Sequence, residues 1–143
     1  MVKPSATELA YMAGFLDGEG YVAISKSKKI TKWRSVGLTL TVAISQINPE
    51  PLLFIHQFFG GHLREEPAKK NRRKSYTWLI SSKAAYNFLL AVLPYLKVKK
   101  DEVKVGLKFQ ETMGRPLMKV PENILDERQK LYTEMKSFKS REF

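Results

Sequence analysis

An α+β fold of the form αββαββα, with extra helices at its C-terminal end, is predicted by three features of the sequence. The hydrophobic period changes from helical to two-residue after Gly20, the succession of helix signal and strand pair returns in the second half, and no long polar linker divides the two. Ser5 to Asp17 reads as the first helix, because Ser5 and Glu8 fit an S-x-x-E capping box and Gly18 and Gly20 suit a C-terminal exit. From Tyr21 to Lys29, Val22 and Ile24 alternate with Ala23, Ser25 and Ser27. From Ser35 to Ser45, Val36, Leu38, Leu40, Val42 and Ile44 alternate with small and hydroxyl residues, so both stretches read as strands. Asn48-Pro49 opens a second helix that Gly60-Gly61 stops after Phe59. Strands over His62 to Glu66 and Tyr76 to Ser81 follow, separated by the basic run Lys69 to Lys74. Helices from Ser82 to Leu93, from about Lys99 to Met113 and from about Pro121 to Phe138 complete the chain.

The 143 residues are 43% apolar and 27% charged, the balance of a single globular domain spanning 1–143. The longest apolar run, Phe88 to Leu93, is far short of the roughly 18 residues a membrane span needs, and no basic amphipathic face marks a membrane-surface helix. The N-terminus lacks the apolar segment of a secretory signal, which predicts an intracellular, non-secreted protein. With no cysteine and two histidines, thiolate sites and an all-histidine metal cage are excluded, and metal chemistry must use carboxylates. A net charge of +11 on so small a domain points to a nucleic-acid partner, because displacing condensed counterions from phosphates drives association. Charge alone does not separate DNA from RNA.

On a 3.6-residue period Ala10, Ala13, Gly14, Asp17 and Gly18 fall on a stripe of small residues, and Leu9, Met12, Phe15 and Leu16 on a large apolar one. The large stripe belongs in the chain's own core. Helical glycines cost about 0.8–1 kcal/mol each relative to alanine, and two readings account for them here. Either a second copy of the helix packs on the small stripe in a symmetric homodimer, or the glycines end the helix and relieve crowding within one monomer. Asp17 and Glu19 lie where the helix dipole is already negative. Two such helix ends side by side would gather carboxylates suited to Mg²⁺, while in a lone chain both residues would solvate a tight turn.

The run Met12-Ala13-Gly14-Phe15-Leu16-Asp17-Gly18-Glu19-Gly20 resembles the LAGLIDADG motif of the homing endonucleases, and the chain resembles single-motif members of that family over nearly its whole length. The resemblance implies an antiparallel four-stranded DNA-binding saddle and a homodimer with the motif helices at its centre. It also implies an intron-encoded enzyme making double-strand breaks at a long, roughly palindromic site, with Mg²⁺ or Mn²⁺ as cofactor. In that family the last acidic residue of the motif binds the catalytic cations, and Glu19 holds this position in place of the motif's aspartate. Gln46, ending the second strand, matches a polar residue that holds solvent near the metals. Lys99, with Lys97 as the alternative, matches a lysine beside the cleavage site.

Strand parity picks the side chains of the implied DNA face. With Val22, Ile24, Leu38, Leu40 and Leu63 turned inward, Ser25, Ser27, Lys29, Thr39, Thr41, His62, Arg64 and Glu66 turn outward. In the last strand parity is ambiguous, and Tyr76 and Trp78 are assigned to the DNA. Lys69, Lys70, Arg72, Arg73 and Lys100 read as phosphate contacts, and Arg34 as either a phosphate or a base contact. Two rivals use the same scaffold: a maturase that binds intron RNA, and a catalytically silent DNA-binding regulator. Retention of Glu19, Gln46 and Lys99 together favours cleavage.

Overall fold

The computed structural model describes residues 3–30, 36–114 and 120–139. Helix α1 (Ala6–Glu19) starts from the capping box: the Glu8 N–H donates to the Ser5 hydroxyl at 3.2 Å, and the Ser5 N–H donates to the Glu8 carboxylate at 2.8 Å. The helix passes without a loop into β1 (Gly20–Ile30). Then come β2 (Val36–Gln46), α2 (Glu50–Phe59), β3 (His62–Glu66), β4 (Ser75–Ser81) and α3 (Ser82–Val92). A 3₁₀ turn at Leu93–Tyr95 leads to α4 (Lys100–Glu111) and α5 (Glu122–Lys139). The strands form one antiparallel sheet in the order β1-β2-β4-β3, so the two helix–strand–strand halves meet through their last strands. The expected αββαββα order and the appended helices hold.

One face of the sheet builds the core. Val22, Ile24, Leu40, Val42, Ile44, Trp78 and Ile80 are buried with Met12 and Leu16 of α1, Leu52 and Ile55 of α2, Phe88 of α3 and Phe109 of α4. Each such side chain contributes about 1.5–3 kcal/mol on burial. A one-residue slip of β2 would turn Leu40, Val42 and Ile44 to the opposite face, which is why the register is well specified.

Two glycines mark close approaches. Gly61 has φ +95°, and a Cβ there would lie 2.8 Å from the Leu79 carbonyl oxygen and 2.9 Å from Trp78 Nε1. The Trp78 indole N–H donates to the Gly60 carbonyl at 2.7 Å, closing the turn from α2 into β3. In α4, a Cβ on Gly106 would come within 2.9 Å of Leu40 Cδ1, so that glycine lets the helix lie close on the sheet.

Two expectations are corrected by the packing. Trp78 is fully buried, stacks edge-on against Phe88 at 5.0 Å and pairs with Ile44 and Leu63, so it and Tyr76 belong to the core side of β4. Thr77 and Leu79 take the outer side. Both parities of β4 carry a large side chain, and it is the register against β2 that decides between them. Ala13 is also fully buried, in the core beside Met12 and Leu16, so it leaves the small stripe.

The last helix lies along β1, with Lys139 Nζ 4.9 Å from the Tyr21 ring centroid and Lys26 Nζ 5.8 Å from that of Tyr132. Its Arg128 donates to the Thr112 carbonyl at 2.7 Å and to the Thr112 hydroxyl at 3.1 Å, at the C-terminal end of α4. Burial there holds the guanidinium below its ordinary pKa. Among the described residues no helix is long and apolar enough to cross a membrane.

Candidate functional site

The outer face of the sheet can be read as rows, because directly opposed residues share a face. Ser25 stands opposite Thr39; Ala23, Thr41 and Ser81 form the next row; Tyr21, Ala43, Leu79 and His62 the next; then Ser45, Thr77 and Arg64; then Ser75 and Glu66. Hydroxyls dominate the middle of this face and bond to one another. Ser25 donates to the Thr41 hydroxyl at 3.1 Å, and Ser45 and Thr77 share a hydrogen bond of 2.9 Å. The sequence-predicted Ser25, Ser27, His62 and Arg64 are exposed on it, Thr39 and Glu66 are half-buried, and Thr41 is buried by its neighbours. Ser45, Ser75 and Ser81 join the face although sequence reading did not assign them to it, and Thr77 joins it from the parity of β4 that was weighed against Tyr76 and Trp78. Ser45 follows from the parity of Thr39 and Thr41; the β4 residues needed the register.

Arg64 Nε donates to Glu66 Oε1 at 2.7 Å along the edge strand. That bond engages the Nε–H, one of the five donors of the guanidinium. Lys29 and Arg34 lie outside the residues whose side chains are described.

Between β3 and β4 the basic run folds into a tight hairpin, in which Lys69 and Arg72 exchange backbone hydrogen bonds of 2.9 Å in both directions. Lys69, Lys70, Arg72 and Arg73 are exposed on it. Lys74 pairs with Glu65, whose hydrogen bond and charge hold the ammonium above its ordinary pKa. The hairpin brings Arg72 and Arg73 to a cleft of about 440 Å³ that they line together with Glu19, Ser45, Gln46, Ile47 and Ser75. Residues far apart in sequence thus meet at one point: the exposed glutamate ending α1, the amide ending β2, and two guanidinium groups.

The other acid of the helix end is used differently. The Asp17 carboxylate accepts the backbone N–H groups of Lys97 at 2.7 Å, Val98 at 3.1 Å and Lys99 at 2.9 Å. In return the Lys99 ammonium donates to the Asp17 carbonyl at 2.7 Å, one of the carbonyls left without an intrahelical partner where α1 ends. The Asp17 carboxylate is therefore bound by its own chain. Lys99 meets the same helix end as Glu19 without lining the cleft, and Lys100 is exposed in the first turn of α4. Of the stripe, Ala10, Gly14 and Gly18 remain exposed, and a Cβ added at either glycine would meet nothing within 4 Å.

A family model described as LAGLIDADG endonuclease matches residues 12–111. The chain belongs to the LAGLIDADG endonuclease family. Its motif, Met12–Gly20, is the segment that carries Asp17, Glu19 and the open glycine stripe. Among solved structures, the archaeal intron-encoded homing endonuclease I-Vdi141I complexed with DNA is 22% identical, with a TM-score of 0.76 over 96% of this chain and 87% of that one. The homing endonuclease I-CvuI in complex with its target is 17% identical, with a TM-score of 0.75 over 95% of this chain and 84% of that one. The homing endonuclease I-TnaI is 22% identical, with a TM-score of 0.66 over 94% and 89%. At these identities the likeness establishes a shared LAGLIDADG fold. None of the curated proteins compared with the chain matches it.

The donor chemistry around the motif's end fits a hard divalent cation. Glu19 offers an exposed carboxylate beside the Gln46 amide, and oxygen ligands of this kind suit Mg²⁺ or Mn²⁺. Among the described residues no three acidic or histidine side chains of one chain converge. A cation held here would need further ligands beyond Glu19 and Gln46 to complete its shell.

Proposed function

We propose that the protein is a site-specific DNA endonuclease that acts as a homodimer on a long, roughly palindromic site and hydrolyses phosphodiesters with divalent cations. The observation that carries this reading is the meeting of Glu19 and Gln46 with Arg72 and Arg73 in one cleft at the end of a hydroxyl-lined sheet face. Family membership and the DNA-bound state of I-Vdi141I and I-CvuI support the substrate. The open stripe at Ala10, Gly14 and Gly18 supports the dimer, whose twofold symmetry matches a palindromic target.

In this mechanism Glu19 of each copy anchors the cations, which when bound supply charge neutralisation at the reacting phosphate. Gln46 orients water in the cleft, and Arg72 and Arg73 hold the DNA backbone against it. Lys99 lends positive charge to the phosphate from the end of α1. On the sheet face the serine and threonine hydroxyls make adaptable contacts. Arg64, steadied by Glu66, presents its free nitrogens to a guanine edge.

The test is incubation of the protein with a DNA library containing candidate insertion sites, with Mg²⁺ or with EDTA, beside the Glu19→Gln variant. Cutting that needs Mg²⁺ and disappears in Glu19→Gln is expected. Cutting that survives Glu19→Gln removes Glu19 as the anchor, and binding of structured intron RNA without DNA cutting replaces the reading with the maturase one.

A further inference from the structure

We infer that Asp17 is a positioning residue for cleavage, acting through Lys99: its carboxylate holds the start of α4 so that the Lys99 ammonium is fixed at the end of the motif helix. The inference rests on the endonuclease reading above and adds to it a residue whose job is neither metal binding nor dimer contact.

The geometry is reciprocal. Three consecutive backbone N–H groups, those of Lys97, Val98 and Lys99, converge on one carboxylate. Charge-assisted hydrogen bonds of this kind are roughly twice as strong as neutral ones, so the segment preceding α4 is pinned in one conformation. The last of the three belongs to Lys99, whose side chain returns to the carbonyl of Asp17 itself. Backbone and side chain of Lys99 are therefore both referenced to one residue 82 positions away in sequence. A four-carbon lysine stem is flexible, and half-burial together with this closed ring of contacts is what limits it. One of the three ammonium donors is spent on the carbonyl. The group is thus placed by a backbone carbonyl, that of the residue two positions before Glu19.

Asparagine at this position keeps the shape but turns one oxygen acceptor into an N–H₂ donor facing N–H groups, so the segment should release. A misplacement of about 1 Å in such a group lowers rates by about 10²-fold. The experiment is a cycle of four proteins: wild type, Asp17→Asn, Lys99→Met and the double variant. Each is measured by DNA affinity, by single-turnover cleavage with saturating Mg²⁺ and by amide exchange at positions 97 to 99, and the two proteins that keep Lys99, wild type and Asp17→Asn, also by the acetylation rate of Lys99, followed by mass spectrometry. DNA affinity should stay within a few-fold. Cleavage should fall about 10²-fold in Asp17→Asn, and the double variant should be no slower than Lys99→Met. Acetylation of Lys99 and exchange at the three amides should both accelerate in Asp17→Asn. Retention of cleavage by Asp17→Glu at a rate above that of Asp17→Asn would add support.

Multiplicative losses in the double variant would mean that Asp17 acts independently of Lys99, and would overturn the inference. Unchanged acetylation and exchange in Asp17→Asn would overturn it whether or not DNA is cut. A wild-type protein that cuts no DNA but shows the expected acceleration would sink the endonuclease reading and the cleavage role of Asp17 with it, leaving only the latch.

Discussion

Replacing Gly14 by alanine has opposite expected effects on one chain and on a pair of chains. Within the chain, Gly14 lies inside α1 and a Cβ there meets nothing within 4 Å. The substitution should therefore stabilise the monomer by about 0.8–1 kcal/mol, the difference in helix propensity between glycine and alanine. If a second motif helix packs closely on the same stripe, the added methyl groups overfill the contact. Overpacking costs about 1–3 kcal/mol per site, and twofold symmetry places the change on both copies. The dimer should then weaken by about 2–6 kcal/mol, which is at least about 25-fold in Kd. Urea denaturation at protein concentrations too low for dimers measures the first effect, and sedimentation equilibrium from nanomolar to tens of micromolar measures the second. A variant that gains monomer stability and dimerises as well as the wild type would refute the close-packed stripe. So would a wild-type protein that stays monomeric while cutting DNA.

Three further outcomes follow from the structure. Gly61→Ala should destabilise the chain by at least about 1–3 kcal/mol, because the residue is held at φ +95° and the new Cβ would press on the Leu79 carbonyl and the Trp78 indole; an unchanged urea midpoint would contradict the geometry. Replacing Arg72 and Arg73 together by alanine should reduce the slope of log affinity against log salt by about 0.9 per lost phosphate contact without altering which DNA sequence is preferred. A change of preference would instead make them base readers. Glu19→Gln should raise thermal stability by about 0.3–1 kcal/mol, since it removes an exposed carboxylate from the negative end of a helix dipole, and a fall in Tm would mean that Glu19 carries a structural role as well.

Elements announced by local chemistry were legible in the sequence. The capping box at Ser5 and Glu8 set the start of α1, Gly60-Gly61 set the end of α2, and the unbroken alternation from Val36 to Ser45 gave β2 its inner face. Glu19 and Gln46 were named from the resemblance of Met12 to Gly20, and of the strand pair that follows, to the LAGLIDADG family, and the structure brings both to one cleft. What stayed hidden depends on partners distant in sequence. β4 carries Tyr76 and Trp78 on one parity and Thr77 and Leu79 on the other, and only pairing with Ile44 turns Trp78 inward. The arrival of Arg72 and Arg73 at the Glu19 cleft depends on where a hairpin tip points, which charge runs do not encode. The partners of the Asp17 carboxylate, the amides of Lys97 to Lys99, were likewise hidden because they lie some eighty residues later.

Those amides also explain how one helix end tolerates two acids. Asp17 and Glu19 both oppose the dipole of α1, and unrelieved they would destabilise its last turn. The fold relieves one of them internally: three N–H groups take up the Asp17 carboxylate, and the Lys99 ammonium covers the carbonyl that the helix leaves open. Among the described residues no backbone N–H donates to Glu19 in this way; it lines a cleft with Arg72 and Arg73 on its wall. The electrostatic cost that remains in the free chain is therefore concentrated on the exposed Glu19 carboxylate. A cation and a phosphate would relieve it from outside, so the same imbalance that weakens the helix end in isolation favours binding there.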